Sequence, residues 1–240
     1  MESAFDRIKL LINEHQFNKI SQSTIMVVGC GGVGAMCAES LARFGINNII
    51  LMDHDAVNIT NLNRQIHATV NNINQKKVNA LKDRILAISP QCHVITLDTF
   101  LNEESIKLLE NFSIDVIVDA IDTVTSKLLL IKYAQQHSVA IVSSMGMGNR
   151  IDPTKVTIMP LNKTSYDPLA KVMRYQCRKQ GLNDKLMVVT SLEVPKKQTK
   201  RISDSPILKE AMPPSSSSFV PMAAGLACGY QAIMLALERV

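Results

Sequence analysis

Short apolar runs recur along the chain at a regular interval, with longer mixed segments between them. The first, "TIMVVGC" over residues 24–30, is followed by a helical pattern through Arg43. "NNIILMD" comes next and ends in an acid; "HVITLD", "DVIVDA" and "VAIVSS" follow. Each run is apolar throughout rather than alternating, as strands covered by helices on both faces are. Helical stretches separate them: about Asn74 to Ile88, "NEESIKLLENF" and "VTSKLLLIKYAQQH". The first of these stops at "SP", because the residue before a proline resists the helical region. Strands alternating with helices in this way predict an α/β fold, a Rossmann-like, doubly wound, mostly parallel sheet.

After Met145 the alternation breaks. "KVTIMPL" and "KLMVVTSLEV" read as strands around a helix, "DPLAKVMRYQCRKQG", that is capped by Gly181. "PKKQTKRISDSPILKEAMPPSSSS" shows no period, so residues 195–218 are expected to form a mobile loop, functional more often than filler in a compact domain. The opening segment, "MESAFDRIKLLINEHQF", is charged and amphipathic and is no signal peptide. The closing one, "FVPMAAGLACGYQAIMLAL", is nearly long enough to span a bilayer. Two glycines, Tyr230, Gln231 and the flanking Glu238 favour a buried or interface helix over a transmembrane anchor, leaving peripheral membrane contact as the lesser alternative. A single domain over 1–240 is expected: an N-terminal helical segment (1–23), an α/β core (24–145) and a C-terminal strand, loop and helix extension (146–240).

Composition narrows the classes. With 46% hydrophobic and 20% charged residues, the 240-residue chain can bury an ordinary soluble core. Aromatics make up 4% and tryptophan is absent, which argues against an aromatic stacking platform for single-stranded nucleic acid. A net charge of +5 is compatible with an RNA partner without requiring one. The five cysteines are odd in number and form no CxxC pair, so neither a disulfide framework nor a four-cysteine zinc site is expected. A reducing cytoplasm is the simplest setting.

The chemistry begins at the first strand. Gly29, Gly31 and Gly34, with Gly32 between them, fit a phosphate-cradling turn that opens a helix, whose N-terminal N–H groups attract anions. Asp53 lies about twenty residues on, where an acid holds ribose hydroxyls. These features fit an adenosine ligand and leave a dinucleotide and ATP equally open. Asn61, Asn63, Arg64 and Gln65 then crowd one loop, Lys77 opens the following helix, and Asp122 is expected to end the fourth strand. A lysine and an arginine neutralise a triphosphate, which a dinucleotide pyrophosphate barely needs. A carboxylate facing phosphates suits Mg²⁺. Each residue alone reads as a solvated loop side chain; as a set at strand ends they point to ATP.

"FDRIKLLINEHQF", "VVGCGGVGAMCAESLARFGI", "LMDHDAVNITNLNRQ", the lysine of "NQKKV" and "DAIDTVTSK" resemble the adenylating domain of the ubiquitin-activating-enzyme-like (ThiF/MoeB-type) family. The similarity covers residues 5 to about 145. It implies binding of ATP and Mg²⁺ and attack of a carboxylate on the α-phosphate. Within the family, "NRQIHA" and "NRIDPTKV…DPLAKVMR" resemble the group that acts on threonylcarbamoyladenosine in tRNA, activating the threonyl carboxylate before it cyclises to a hydantoin. By position, the resemblance implies that Asp53, with Asp55, holds ribose and that Asn61, Arg64 and Lys77 contact phosphates. Gln65 supports that site, Asp122 holds Mg²⁺, and Arg7 is lent across a homodimer interface. A sulfur-relay protein partner and a monovalent cation, Na⁺ or K⁺, at the C-terminal loop are compatible with the sequence and demanded by none of it.

Departures matter too. Sulfur-carrier activators commonly carry two CxxC pairs for zinc, and this chain has none. Ubiquitin-type activators need a thioester cysteine. Cys228, in the apolar helix, reads as packing, as do Cys30 and Cys37. Cys177 has Arg174, Arg178 and Lys179 close by to lower its pKa, yet packing is favoured there as well. Those basic residues, Lys171, and Lys196, Lys197, Lys200 and Arg201 are candidate RNA contacts, weighed against plain solvated charge. Activation of a Gly-Gly sulfur carrier, NAD-dependent redox chemistry and an inert scaffold remain as alternatives.

Overall fold

The computed structural model describes residues 3–202 and 212–238. Its centre is a seven-stranded sheet: β1 (Thr24–Val28), β2 (Asn48–Met52), β3 (His93–Leu97), β4 (Val116–Asp119), β5 (Ala140–Ser144), β6 (Val156–Pro160) and β7 (Met187–Ser191). In space the order is β3-β2-β1-β4-β5-β7-β6, and every pairing is parallel except β6 with β7. The chain winds outward from β1 in both directions, so the sheet's switch point falls between β1 and β4. Ligands of open α/β sheets bind beyond the strand C-termini at such a point.

Side-chain alternation divides the core. In β1, Ile25 and Val27 join one hydrophobic cluster while Met26 and Val28 join another; in β2, Ile49 and Leu51 face the first and Ile50 and Met52 the second. The first face is covered by α3 (Gly32–Arg43), α4 (Lys77–Ile88) and the C-terminal helix α7 (Phe219–Glu238). The second is covered by α5 (Val124–Gln136) and by the 105–111 segment, while α6 (Pro168–Lys179) closes a smaller cluster against α5 and β7. Because both faces are buried, the strand sequences read as continuous apolar runs.

Helix ends follow local chemistry. The N-terminal segment splits into α1 (Asp6–Leu11) and α2 (Glu14–Gln22), because Asn13 forms a capping box with Gln16 and restarts the helix. Asp167 accepts from Ala170 N to cap α6, and Pro168 occupies the first turn. Two expectations shift. The helix expected from about Asn74 begins at Lys77, because Asn74 sits at φ 72 and donates to Val57 O instead. "NEESIKLLENF" tightens to a 3₁₀ helix at Ser105–Asn111.

The C-terminal helix α7 has the length and hydropathy of a membrane span, but half of it is buried inside the protein. Its small residues face α3: a Cβ at Gly225 would lie 2.5 Å from Val33 O, and one at Gly229 would collide with Ser40 Oγ. Close helix approach explains the glycines. The stretch 195–218 has no helix or strand over 195–202 and 212–217, and its residues 203–211 lie outside the described part.

Candidate active site

A cleft of roughly 370 Å³ opens at the C-terminal ends of β1, β2 and β4, a volume within the ligand-pocket range. Gly29, Gly31, Gly32, Asp53, Asp55, Asn61, Arg64, Gln65, Lys77 and Asp122 all line it. Ten residues from five separate stretches of sequence thus meet around one volume.

The glycine turn is shaped by neighbours. Gly29 N donates to Met52 O at 2.8 Å, and Gly29 holds φ 91 with no room for a side chain: a Cβ would lie 2.7 Å from Ala120 O. Gly34, expected in the phosphate cradle, does not line the cleft. It sits behind the turn, where a Cβ would run into Gly29 O, so it permits the first turn of α3 to press on the loop. Asp53 spans from β2 to this turn, its Oδ2 accepting from Cys30 N at 2.6 Å and its Oδ1 from Asp55 N at 2.8 Å. Each carboxylate oxygen retains a second lone pair for a ligand hydroxyl.

The polar loop is pre-ordered. Asn58 caps a short 3₁₀ turn, Ile59–Asn61, and Asn61 Oδ1 accepts from Asn58 N at 2.9 Å. The carboxamide oxygen of Asn61 is thereby occupied, so the amide Nδ2 is the group it can offer a ligand. Arg64 Nη1 donates to Thr60 O at 2.8 Å and Asn63 Oδ1 at 2.9 Å, and partial burial lowers its pKa without threatening its charge. Gln65 is buried, and its Oε1 has no hydrogen-bond partner. Lys77 Nζ forms a 2.6 Å pair with Asp55 Oδ2, whose other oxygen lies 3.2 Å from His54 Nε2. Asp122 is exposed on the opposite wall, where Thr123 Oγ1 approaches it at 3.4 Å. Arg7 is exposed on α1 and takes no part in the lining of this chain's own cleft.

Other participants went unsuspected. Thr99, Phe100 and Leu101 follow β3 directly and line the cleft, as the strand-end rule would have located them. Below Asp122, Lys127 is fully buried and donates to Asp119 Oδ2 (3.0 Å), Ser143 Oγ (3.1 Å) and Ser144 O (2.7 Å). Asp119 also accepts from Ser143 Oγ at 2.5 Å and from Ile121 N at 3.2 Å, which fixes the turn leading to Asp122. Residues 215–217 cross over the site's edge: Ser215 pairs with Asn149 through backbone and side chain, and Ser216 O accepts from Asn63 Nδ2 at 3.1 Å.

The cysteines resolve in one direction. All five are free and buried. Burial, reinforced by Asp184, pushes Cys177 up to about 11, and burial pushes Cys228 up to about 12. Neither is a ready thiolate. Of the arginines expected to activate Cys177 or contact RNA, Arg174 bonds Thr164 O at 2.9 Å, while Arg178 stays exposed in a surface pair with Asp184 Oδ2 at 2.8 Å. Lys171 and Lys179 stay exposed on the same helix, and Lys196, Lys197, Lys200 and Arg201 are exposed beyond β7.

Known proteins are similar to this chain in sequence and fold. The ThiF family model matches residues 5–240. A tRNA threonylcarbamoyladenosine dehydratase of Bacillus subtilis is 39% identical over 242 residues, covering 98% of this chain and 95% of its own. The crystal structure of the Escherichia coli tRNA N6-threonylcarbamoyladenosine dehydratase in complex with ATP matches with a TM-score of 0.87 at 30% identity, over 98% of this chain and 94% of that one. A molybdopterin-synthase adenylyltransferase of Haemophilus influenzae is 28% identical over 157 residues, 65% of this chain and 63% of its own.

Proposed function

The chain belongs to the ThiF family, and from that premise we propose that it is an ATP-dependent dehydratase of threonylcarbamoyladenosine in tRNA. One observation carries the reading: the glycine turn, Asp53, Asn61, Arg64, Gln65, Lys77 and Asp122 line a single cleft at the sheet's switch point. ATP enters as a substrate. Its ribose meets Asp53, which the glycine turn already holds in place. Its phosphates lie on the turn and the start of α3, within reach of Asn61, Arg64 and Lys77. Binding draws Lys77 toward phosphate and loosens its pair with Asp55.

Asp122 offers a hard oxygen ligand across from the phosphate turn, a donor that fits Mg²⁺. When bound there, the ion offsets phosphate charge.

In the first step a threonyl carboxylate oxygen bonds to the α-phosphorus and the bond to pyrophosphate breaks. In the second, the ureido nitrogen of the same side chain attacks the activated carbonyl, AMP departs with the bonding pair, and the nitrogen loses its proton. Arg64 and Lys77 stabilise the charge that builds on the phosphates.

Two exposed apolar residues on α7, Leu226 and Tyr230, border a groove of roughly 210 Å³ against Leu41 and Phe44. With Leu10 and Leu11 exposed beside Arg7, it supports a homodimer that lends Arg7 to the neighbouring cleft. Mixed dimers of Arg7→Ala and Asp122→Ala chains should then regain partial activity, since one of their two sites is intact; no recovery in verified mixed dimers removes the trans arginine.

The decisive test is pyrophosphate exchange into ATP, stimulated by threonylcarbamoyl-modified tRNA and not by unmodified tRNA or by a carrier protein ending in Gly-Gly. Stimulation by the carrier alone would favour the sulfur-carrier reading that the Haemophilus influenzae relative represents. Exchange stimulated by neither would refute adenylation of both.

A further inference from the structure

Tyr166 is a bulky residue at φ 57, in the left-handed region that favours glycine. Such a conformation persists only where the surroundings impose it. Its carbonyl is held by Arg150, a buried guanidinium whose Nη2 donates to Tyr166 O at 3.1 Å. The same side chain reaches Gly146 O at 2.5 Å, Gly148 O at 3.2 Å and Glu193 O at 2.9 Å, and lies 3.8 Å from the buried carboxylate of Asp167. Asp167 in turn caps α6 and contacts Thr190 Oγ1 at 3.3 Å. A buried hydrogen-bonded cluster therefore anchors the backbone of an exposed tyrosine against the segments that follow β5 and β7.

The helix that follows continues the surface. Lys171, Tyr175 and Lys179 are spaced four residues apart on the outer face of α6, opposite buried Ala170, Met173 and Cys177. Tyr166 and Tyr175 are 61% and 63% exposed. The helix sequence PLAKVMRYQCRK contains no carboxylate, and Lys163 is exposed just before it. Two of the chain's four tyrosines thus stand in a segment with the exposed Lys163, Lys171 and Lys179. Aromatic faces interleaved with lysines recognise unstacked bases and their phosphates, the form in which loop RNA is read. The low aromatic total argued against a stacking platform, but a single loop needs only one or two rings.

We propose that the Tyr166–Lys171–Tyr175 ridge docks the single-stranded loop of the RNA substrate, with Tyr166 stacking on an unpaired base beside the nucleotide to be activated. This rests on the dehydratase reading above. Arg150 is a positioning residue for that ring.

The chain has no tryptophan, so Tyr166→Trp provides a silent background for fluorescence. Its emission should be quenched by an unmodified anticodon stem-loop and much less by a blunt duplex, while Leu108→Trp, on a distant 3₁₀ turn, should not respond to either. In turnover with modified tRNA, Tyr166→Ala with Tyr175→Ala should raise KM for tRNA on the order of tenfold, leave the Kd for ATP unchanged, and recover with phenylalanine at both positions. Absence of quenching, or a wild-type KM in the double alanine variant, overturns the ridge. A wild-type enzyme that binds ATP but never turns over modified tRNA overturns the dehydratase reading instead, since loop-specific quenching is read without turnover.

Discussion

Lys127→Met tests whether the buried pair beneath the cleft is a structural keystone. The substitution keeps most of the side-chain volume and removes a charge that makes three contacts, at 2.7, 3.0 and 3.1 Å, with no exposure to solvent. Asp119, itself fully buried, keeps only Ser143 Oγ and Ile121 N. Breaking a buried pair by removing one partner typically costs 3–5 kcal/mol, because the remaining group is buried without its counter-charge. For a chain of this size about 1 kcal/mol corresponds to about 2–4 °C in Tm, so the variant should melt roughly 6–20 °C below wild type. Removing both charges, Asp119→Asn with Lys127→Met, should recover much of that loss, as the uncompensated carboxylate is gone. Urea unfolding of all four chains, followed by circular dichroism, gives the coupling directly. A single variant within about 1 kcal/mol of wild type, or a double variant showing the simple sum of the two single losses, would refute the argument. Because Asp119 opens the turn to Asp122, pyrophosphate exchange at 20 °C should fall further than the unfolded fraction accounts for.

Arg64→Ala should reduce exchange by about 10²–10³ with the far-UV spectrum unchanged; turnover like wild type would remove Arg64 from the phosphate site. Gly34→Ala should abolish ATP binding in calorimetry, since its Cβ cannot coexist with Gly29 O, and retained affinity would mean the turn has slack that the structure does not show. His67 is buried with both ring nitrogens unpartnered, and its pKa is lowered to about 4 by burial, Lys77 and Arg84. The unfolded chain therefore binds a proton near pH 6.5 that the folded one refuses, so stability falls as pH drops from about 6.5 toward 4, by up to about 3 kcal/mol. His67→Gln should flatten that part of the urea-midpoint profile; an unchanged slope would place the acid sensitivity elsewhere.

Most of the fold was readable because helix-covered strands leave continuous apolar runs, and each of the seven runs became a strand. Part of the cleft's lining was also readable, since Gly29, Asp53 and Arg64 belong to local motifs of fixed spacing. What escaped depended on distance in sequence. Lys127 lies in "TSKLLLIKY" and looks like one exposed position on a helix; only folding shows it reaching back to Asp119 and across to Ser143 and Ser144. Gly34 matched the motif but supports the turn from behind, a distinction that spacing does not encode. Arg174 read as a surface cation, but its guanidinium bonds Thr164 O.

The cysteines bear on mechanism more than their positions first implied. A thioester route needs a thiolate at the cleft, and none of the five thiols lines it. Cys177, pushed up to about 11, would be ionised to only about one part in 10⁴ at pH 7. Direct cyclisation dispenses with it. The ureido nitrogen is tethered to the carbonyl it attacks, and effective molarities for well-oriented intramolecular attack reach about 10⁵ M or more. A covalent detour would add a second acyl transfer without easing the first, because pyrophosphate release already provides the activation. The enzyme's remaining task is to hold the acyl adenylate away from water until the ring closes. A 215–217 segment tied to both Asn149 and Asn63 gives that task to binding geometry rather than to a nucleophile.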